Sequence, residues 1–121
     1  MRVVIKGKNT LLTPPIKKYI EQKLIRPTEK LLGGRAQEEV LLELELARTT
    51  RHHRKGQVWF AEANLKLGKH LIRAEHEGEG PHEVIDLVEN ELTREIKSFK
   101  ERSKTKEIRG ARKLKRMLKR V

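Results

Sequence analysis

The sequence contains no cysteine, which excludes disulfides, thiol catalysis and cysteine-type zinc sites. Aromatic residues are scarce: Tyr19, Trp59, Phe60 and Phe99 make up 3% of the chain. That is compatible with a small aliphatic core but not with a deep pocket for a large cofactor. Long apolar runs are also missing. The longest is four residues, Val58-Trp59-Phe60-Ala61, against the roughly 20 that a membrane-spanning helix needs and the roughly 7–15 of a signal segment. A soluble, cytoplasmic protein is expected. There is no Ser/Gly-rich or Pro-rich linker and no internal repeat.

Catalytic signatures are absent as well. No H-E-x-x-H, Walker A, G-x-S-x-G or G-x-G-x-x-G pattern occurs. Of the five histidines only the adjacent pair His52-His53 hints at metal, and neighbouring residues in an extended segment point apart. Gly78-Glu79-Gly80 is a lone acidic loop, hostile to phosphate. Glu43 and Glu45 imitate an acid pair, but the wet face of a strand explains them better. Neither an enzyme nor a cofactor is expected.

What the chain has in abundance is positive charge. Its 121 residues, enough for one domain, hold 29 Lys and Arg against 17 Asp and Glu, a net of +12. Such a field favours polyanions, nucleic acid first and anionic membrane second. The charge is uneven. Residues 1–96 carry 17 cations and 15 acids, a net of +2, whereas residues 97–121 carry 12 cations and two acids, a net of +10. The division expected is a folded domain over 1–104 and a basic tail over 105–121.

Residues 2–7 read as a strand with Val3 and Ile5 on one face. Thr13 followed by Pro14-Pro15 marks a helix start. Ile16, Ile20 and Leu24, joined by Tyr19, make that helix amphipathic. Pro27 is expected to end or kink it near Arg26, with Thr28 capping a further short turn that Gly33-Gly34 closes. Val40, Leu42, Leu44 and Leu46 alternate with Leu41, Glu43, Glu45 and Ala47, a strand with one wet face. Residues 57–67 and 70–77 form two further strands joined at Gly68-Lys69. Pro81 and Glu83 open a long helix with Ile85, Val88, Leu92, Ile96 and Phe99 as its stripe. The order is β-α-β-β-β-α: an α+β fold, one four-stranded sheet with two helices on one face. The first helix is a right-handed crossover between parallel strands.

Three clusters of cations stand out. At 100° per residue, Asp86, Asn90, Arg94, Lys97, Lys100 and Lys104 lie opposite or beside the apolar stripe of the long helix. Lys23, Arg26 and Lys30 share a face of the first helix. Arg48, Arg51, His53, Arg54 and Lys55 crowd the connection between two strands, a hairpin tip suited to phosphate contacts. Each cluster could instead be an ordinary solvated surface, but few acids interleave with these cations.

With these elements placed, the chain resembles the ribosome hibernation-promoting factor and ribosome-associated inhibitor family, also called the sigma-54 modulation family. The resemblance rests on an ordered set spanning about residues 1–104: IKGKNT at 5–10, TPPIKKYIEQKL at 13–24, HRKG at 53–56, FAEANL at 60–65, LIRAE at 71–75, VIDLVENEL at 84–92 and IKSFK at 96–100. It implies a domain akin to a double-stranded-RNA-binding fold. It also implies a factor that occupies the messenger and transfer RNA channel of the small ribosomal subunit and silences idle ribosomes in stationary phase or stress. Carried over, Lys23, Arg26, Lys30, Arg94, Lys97, Lys100 and Lys104 would contact rRNA, and Asp86 matches the acid of the family's Ala-Ile-Asp segment.

There are departures. His82-Glu83-Val84 replaces the usual Tyr-Ala-Ala, so an aromatic contact at the helix start is expected to be missing. Pro27 interrupts a helix that usually continues, and the chain resembles the short form of the family, with an added basic tail. From Ser103 onward that tail is expected to be disordered alone and helical on rRNA, with Arg112, Lys113 and Arg116 among its contacts. The other reading of the tail is a plain continuation of the long helix. No small-molecule substrate is expected, a membrane surface ranks below RNA for want of aromatic anchors, and a monomer is expected off the ribosome.

Four other readings compete. A generic double-stranded-RNA-binding domain would place lysines at the start of its last helix, where Gly80-Pro81-His82-Glu83 stands. A base-stacking sheet would need more than Phe60 on its open face. A nuclease lacks a convergent acid–base or metal set. The last is a protein–protein adaptor that uses the open sheet face.

Overall fold

The computed structural model describes residues 1–37, 39–50 and 57–119. Strand β1 (Arg2–Lys8) leads through helix α1 (Pro14–Ile20), a π turn (Glu21–Ile25) and helix α2 (Arg26–Leu32) into a 3-10 turn (Gly33–Gln37). Strands β2 (Val40–Thr50), β3 (Gln57–Leu67) and β4 (His70–Gly78) follow, and helix α3 (Pro81–Lys119) ends the described chain. The sheet order is β1-β2-β3-β4. β1 runs parallel to β2, and the other pairs are antiparallel. This is the α+β architecture expected, with the first helical segment as the crossover.

The core follows from strand parity. Leu42, Leu44, Leu46, Ala63, Leu65, Ile72 and Ala74 are buried on one face of the sheet, and Ile20, Leu24, Leu32, Val84, Val88, Leu92, Ile96 and Phe99 cover them from the helices. A half-buried His76–Glu91 pair, 2.6 Å apart, ties β4 to α3. Gly68, at φ +58 in the two-residue turn between β3 and β4, takes the glycine position of a tight hairpin.

Three local expectations change. Pro27 does not end the helical run near Arg26; a π turn interrupts the regular helix just before it, and the run continues to Leu32. The Arg26 amide bonds to the Glu21 carbonyl five residues back, so the hydrogen-bond ladder is re-spaced just before the residue that has no N–H to give. Thr28 caps nothing; it lies inside α2 as a buried polar residue. β2 also runs three residues beyond Ala47, and Arg48, Thr49 and Thr50 pair with Trp59, Val58 and Gln57. Arg48 therefore belongs to a strand rather than to a loop. Residues 105–119 are helical as an unbroken extension of α3.

Candidate nucleic-acid interface

The helical layer sets the geometry of the candidate surface. Thr13 caps α1, its hydroxyl accepting the Ile16 amide at 3.4 Å. The helix then buries Ile20 and, through the π turn, Leu24. Lys23, Arg26 and Lys30 consequently point outward and are exposed. Arg26 is only loosely engaged, 3.6 Å from an exposed Glu21. Lys17 and Lys18, which sequence reasoning passed over, are exposed on the same segment. Their signal was present, since both fall between Ile16 and Ile20, the two ends of one apolar step.

On α3 the charge changes sign along the axis. From Pro81 to Phe99 five carboxylates outnumber two cations, Arg94 and Lys97. From Lys100 to Lys119 ten cations face two carboxylates. Arg94, Lys97 and Lys104 are exposed, turned away from the Leu92 stripe. Lys100 is partly committed: its Nζ donates to the Leu31 carbonyl at 2.8 Å, satisfying an acceptor at the end of α2 where a cation is favoured. Phe99 marks the point where α3 leaves the domain. His70 meets its ring edge-on at 5.0 Å, and the Arg35 guanidinium lies 5.4 Å from its centroid.

Asp86 faces inward to the neighbouring helix. It accepts a 2.5 Å hydrogen bond from the Tyr19 hydroxyl, which joins α1 to α3. That bond, with burial and the charges of Asp86 and Glu89, pushes the Tyr19 phenol up to about 12. The His82 ring packs edge-on against Tyr19 at 4.5 Å. Arg48 sits 5.6 Å from the Trp59 ring, a cation–π stack at the base of the hairpin. Arg51, His53, Arg54 and Lys55 lie outside the described residues. Arg112, Lys113 and Arg116 are exposed on the far part of α3.

The opposite, uncovered sheet face is balanced. Arg2, Lys6, Lys8, Lys66 and Arg73 share it with Glu43, Glu45, Glu62, Glu75 and Glu77 in register. Lys66 bonds Glu43 at 2.7 Å and holds its carboxyl below the usual range. Arg73 spans Glu62 and Glu75 at 3.3 and 3.0 Å. Lys66 and Arg73 are thus paired across the sheet, whereas Lys23, Lys30, Arg94, Lys97 and Lys104 are exposed on the helices. Among the described residues no group of three or more His, Asp or Glu side chains is placed to hold a metal ion, and no helix is long and apolar enough to cross a membrane.

Known proteins are similar to this chain in sequence and fold. The family profile described as Sigma 54 modulation protein / S30EA ribosomal protein matches residues 3–104. A ribosome hibernation promotion factor from a Picosynechococcus strain is 29% identical over 104 residues, covering 85% of this chain and 51% of its own length. The chain therefore spans about half of that curated relative. The N-terminal domain of Thermus thermophilus Protein Y superposes with a TM-score of 0.63 at 27% identity, over 82% of this chain and 99% of that one. A ribosomal subunit interface protein from Coxiella burnetii gives 0.62 at 20% identity, over 83% and 98%, and shares the fold.

Proposed function

The chain belongs to the Sigma 54 modulation protein / S30EA ribosomal protein family, and on that premise we propose that it is a ribosome hibernation factor. It binds the small ribosomal subunit in the channel used by messenger and transfer RNA and represses translation in stress or stationary phase. The observation that carries this reading is the family match over 3–104 on a domain whose helical layer exposes a cluster of cations. Lys23, Arg26 and Lys30, with Arg94, Lys97 and Lys104, contact rRNA phosphates. Lys17 and Lys18 widen the same surface. Lys100 and Asp86 hold the two helices in place. Arg48 on β2, together with Arg51, His53, Arg54 and Lys55, supplies a second set of phosphate contacts.

Recognition of this kind is by shape and phosphate, since rigid helices present cations and few aromatics are available to stack on bases. The test is co-sedimentation with purified small and large subunits, paired with translation in a reconstituted system. Binding to the small subunit with dose-dependent repression is expected. Repression without ribosome binding, or binding confined to the large subunit, would contradict the proposal.

A further inference from the structure

Beyond Phe99, α3 has no buried residue. Lys100–Lys119 continues as helix for twenty residues, exposed at every position but Ser103, and projects about 30 Å. Ten of those residues are Lys or Arg and two are acidic, a net of +8, with no carboxylate after Glu107. Among the described residues these cations make no ion pair. Arg109–Lys113, Arg112–Arg116 and Lys115–Lys119 are like-charge neighbours one turn apart, and each opposes the helix. A self-repelling rod of this kind is best matched by a linear anion that neutralises it along its length.

The cations are also sided. Counted from Leu92 at 100° per residue, those from Lys104 to Lys119 fill a sector of about 200°, and Leu114, Met117 and Leu118 occupy the remainder. That apolar strip prolongs the stripe which buries Leu92, Ile96 and Phe99 higher up the same helix. Its three members are 58%, 58% and 66% exposed. They span barely more than one turn, far short of the roughly 800 Å² per partner of a standard protein interface.

We propose that residues 105–119 form a rigid RNA-binding rod, separate in its contacts from the sheet-packed domain. Its cationic sector runs along the phosphates of a base-paired RNA segment, and Leu114, Met117 and Leu118 face away. The rod rests on the hibernation reading only for where that RNA is found, namely next to the channel site. It is helical before it binds, so binding need not order it.

The test uses the full chain and two variants. One neutralises the rod (Arg112→Gln, Lys115→Gln, Arg116→Gln, Lys119→Gln), and the other removes the strip (Leu114→Gln, Met117→Gln, Leu118→Gln). Each is titrated against a synthetic RNA duplex across a salt series, after circular dichroism confirms equal helix content. A parallel series uses washed small subunits. The neutralised variant should lose up to about 3–4 from the slope of log affinity against log salt and bind the duplex about tenfold more weakly or worse. The strip variant should stay within about twofold of the parent.

Unchanged slope and affinity in the neutralised variant would overturn the rod. So would a loss confined to the strip variant, which points to an apolar protein contact. The two readings fail separately. A parent chain that ignores small subunits but binds duplex through these cations refutes hibernation and leaves the rod standing.

Discussion

Tyr19 joins two helices through one oxygen. Its hydroxyl donates to the Asp86 carboxyl group, and hydrogen bonds to acidic side chains contribute about 1.5–3 kcal/mol. Tyr19→Phe should therefore lower stability by about 1–2 kcal/mol in urea unfolding, allowing for partial exposure. The phenol titrates near 12 in the folded protein against 10 unfolded. The raised value means that the folded state holds its proton longer. The contribution is complete below pH 10 and falls as pH rises from 10 through about 12. Tyr19→Phe should flatten stability over that window, and an unaltered fall in the variant would place its origin elsewhere. Sequence pattern put Tyr19 on the apolar face correctly but could not show that Asp86, by periodicity beside the stripe, turns to meet it. A hydrogen bond across 67 residues leaves no local signature.

The first helical segment shows how an element can be half visible in sequence. Ile16, Ile20, Leu24, Thr28 and Leu32 recur every four residues, and all are buried or half-buried. In a regular α-helix a spacing of four drifts about 40° per step, roughly 160° over the run. One π turn takes up most of that drift and brings Leu32 back to the core while stepping past Pro27. The spacing was readable; its consequence was hidden because proline is more often a helix end than a re-spaced turn. The stop was legible in Gly33, which has φ +59 and ψ −130, a region nearly closed to other residues. No atom lies within 4 Å of a Cβ added there, so the cost is backbone strain alone. Gly33→Ala should destabilise by about 1–3 kcal/mol, read as a lower urea midpoint with unchanged slope. A neutral result would contradict the assigned backbone.

For the molecule as a whole, electrostatics is organised by face and by end. The sheet face balances five cations with five carboxylates and pairs Lys66 and Arg73 with Glu43, Glu62 and Glu75, the helical layer exposes a larger set of cations, and α3 shifts from acidic to strongly basic past Phe99. Composition announced the charge and its C-terminal weighting. It could not show that Lys100 would be drawn onto the end of α2, or that the tail would be rod rather than coil, since like charges argue against a free helix. Binding through about 6–10 phosphates should lose about 10³–10⁵ in affinity between 50 and 200 mM salt, by analogy with duplex DNA. A flat salt profile would count against phosphate recognition. Replacing Lys23, Arg26, Arg94 and Lys97 with Gln should reduce the slope by about 3–4 without unfolding the domain, because all four are exposed.

In the proposed function this helical layer occupies the channel of the small subunit when messenger and transfer RNA are absent. The most direct measurement is the affinity of the full chain for vacant small subunits and for subunits loaded with messenger and transfer RNA, at one moderate salt concentration. Strong binding to vacant subunits, lost on loading and weakened by the four Gln substitutions, is the predicted result. Equal affinity for both would contradict it.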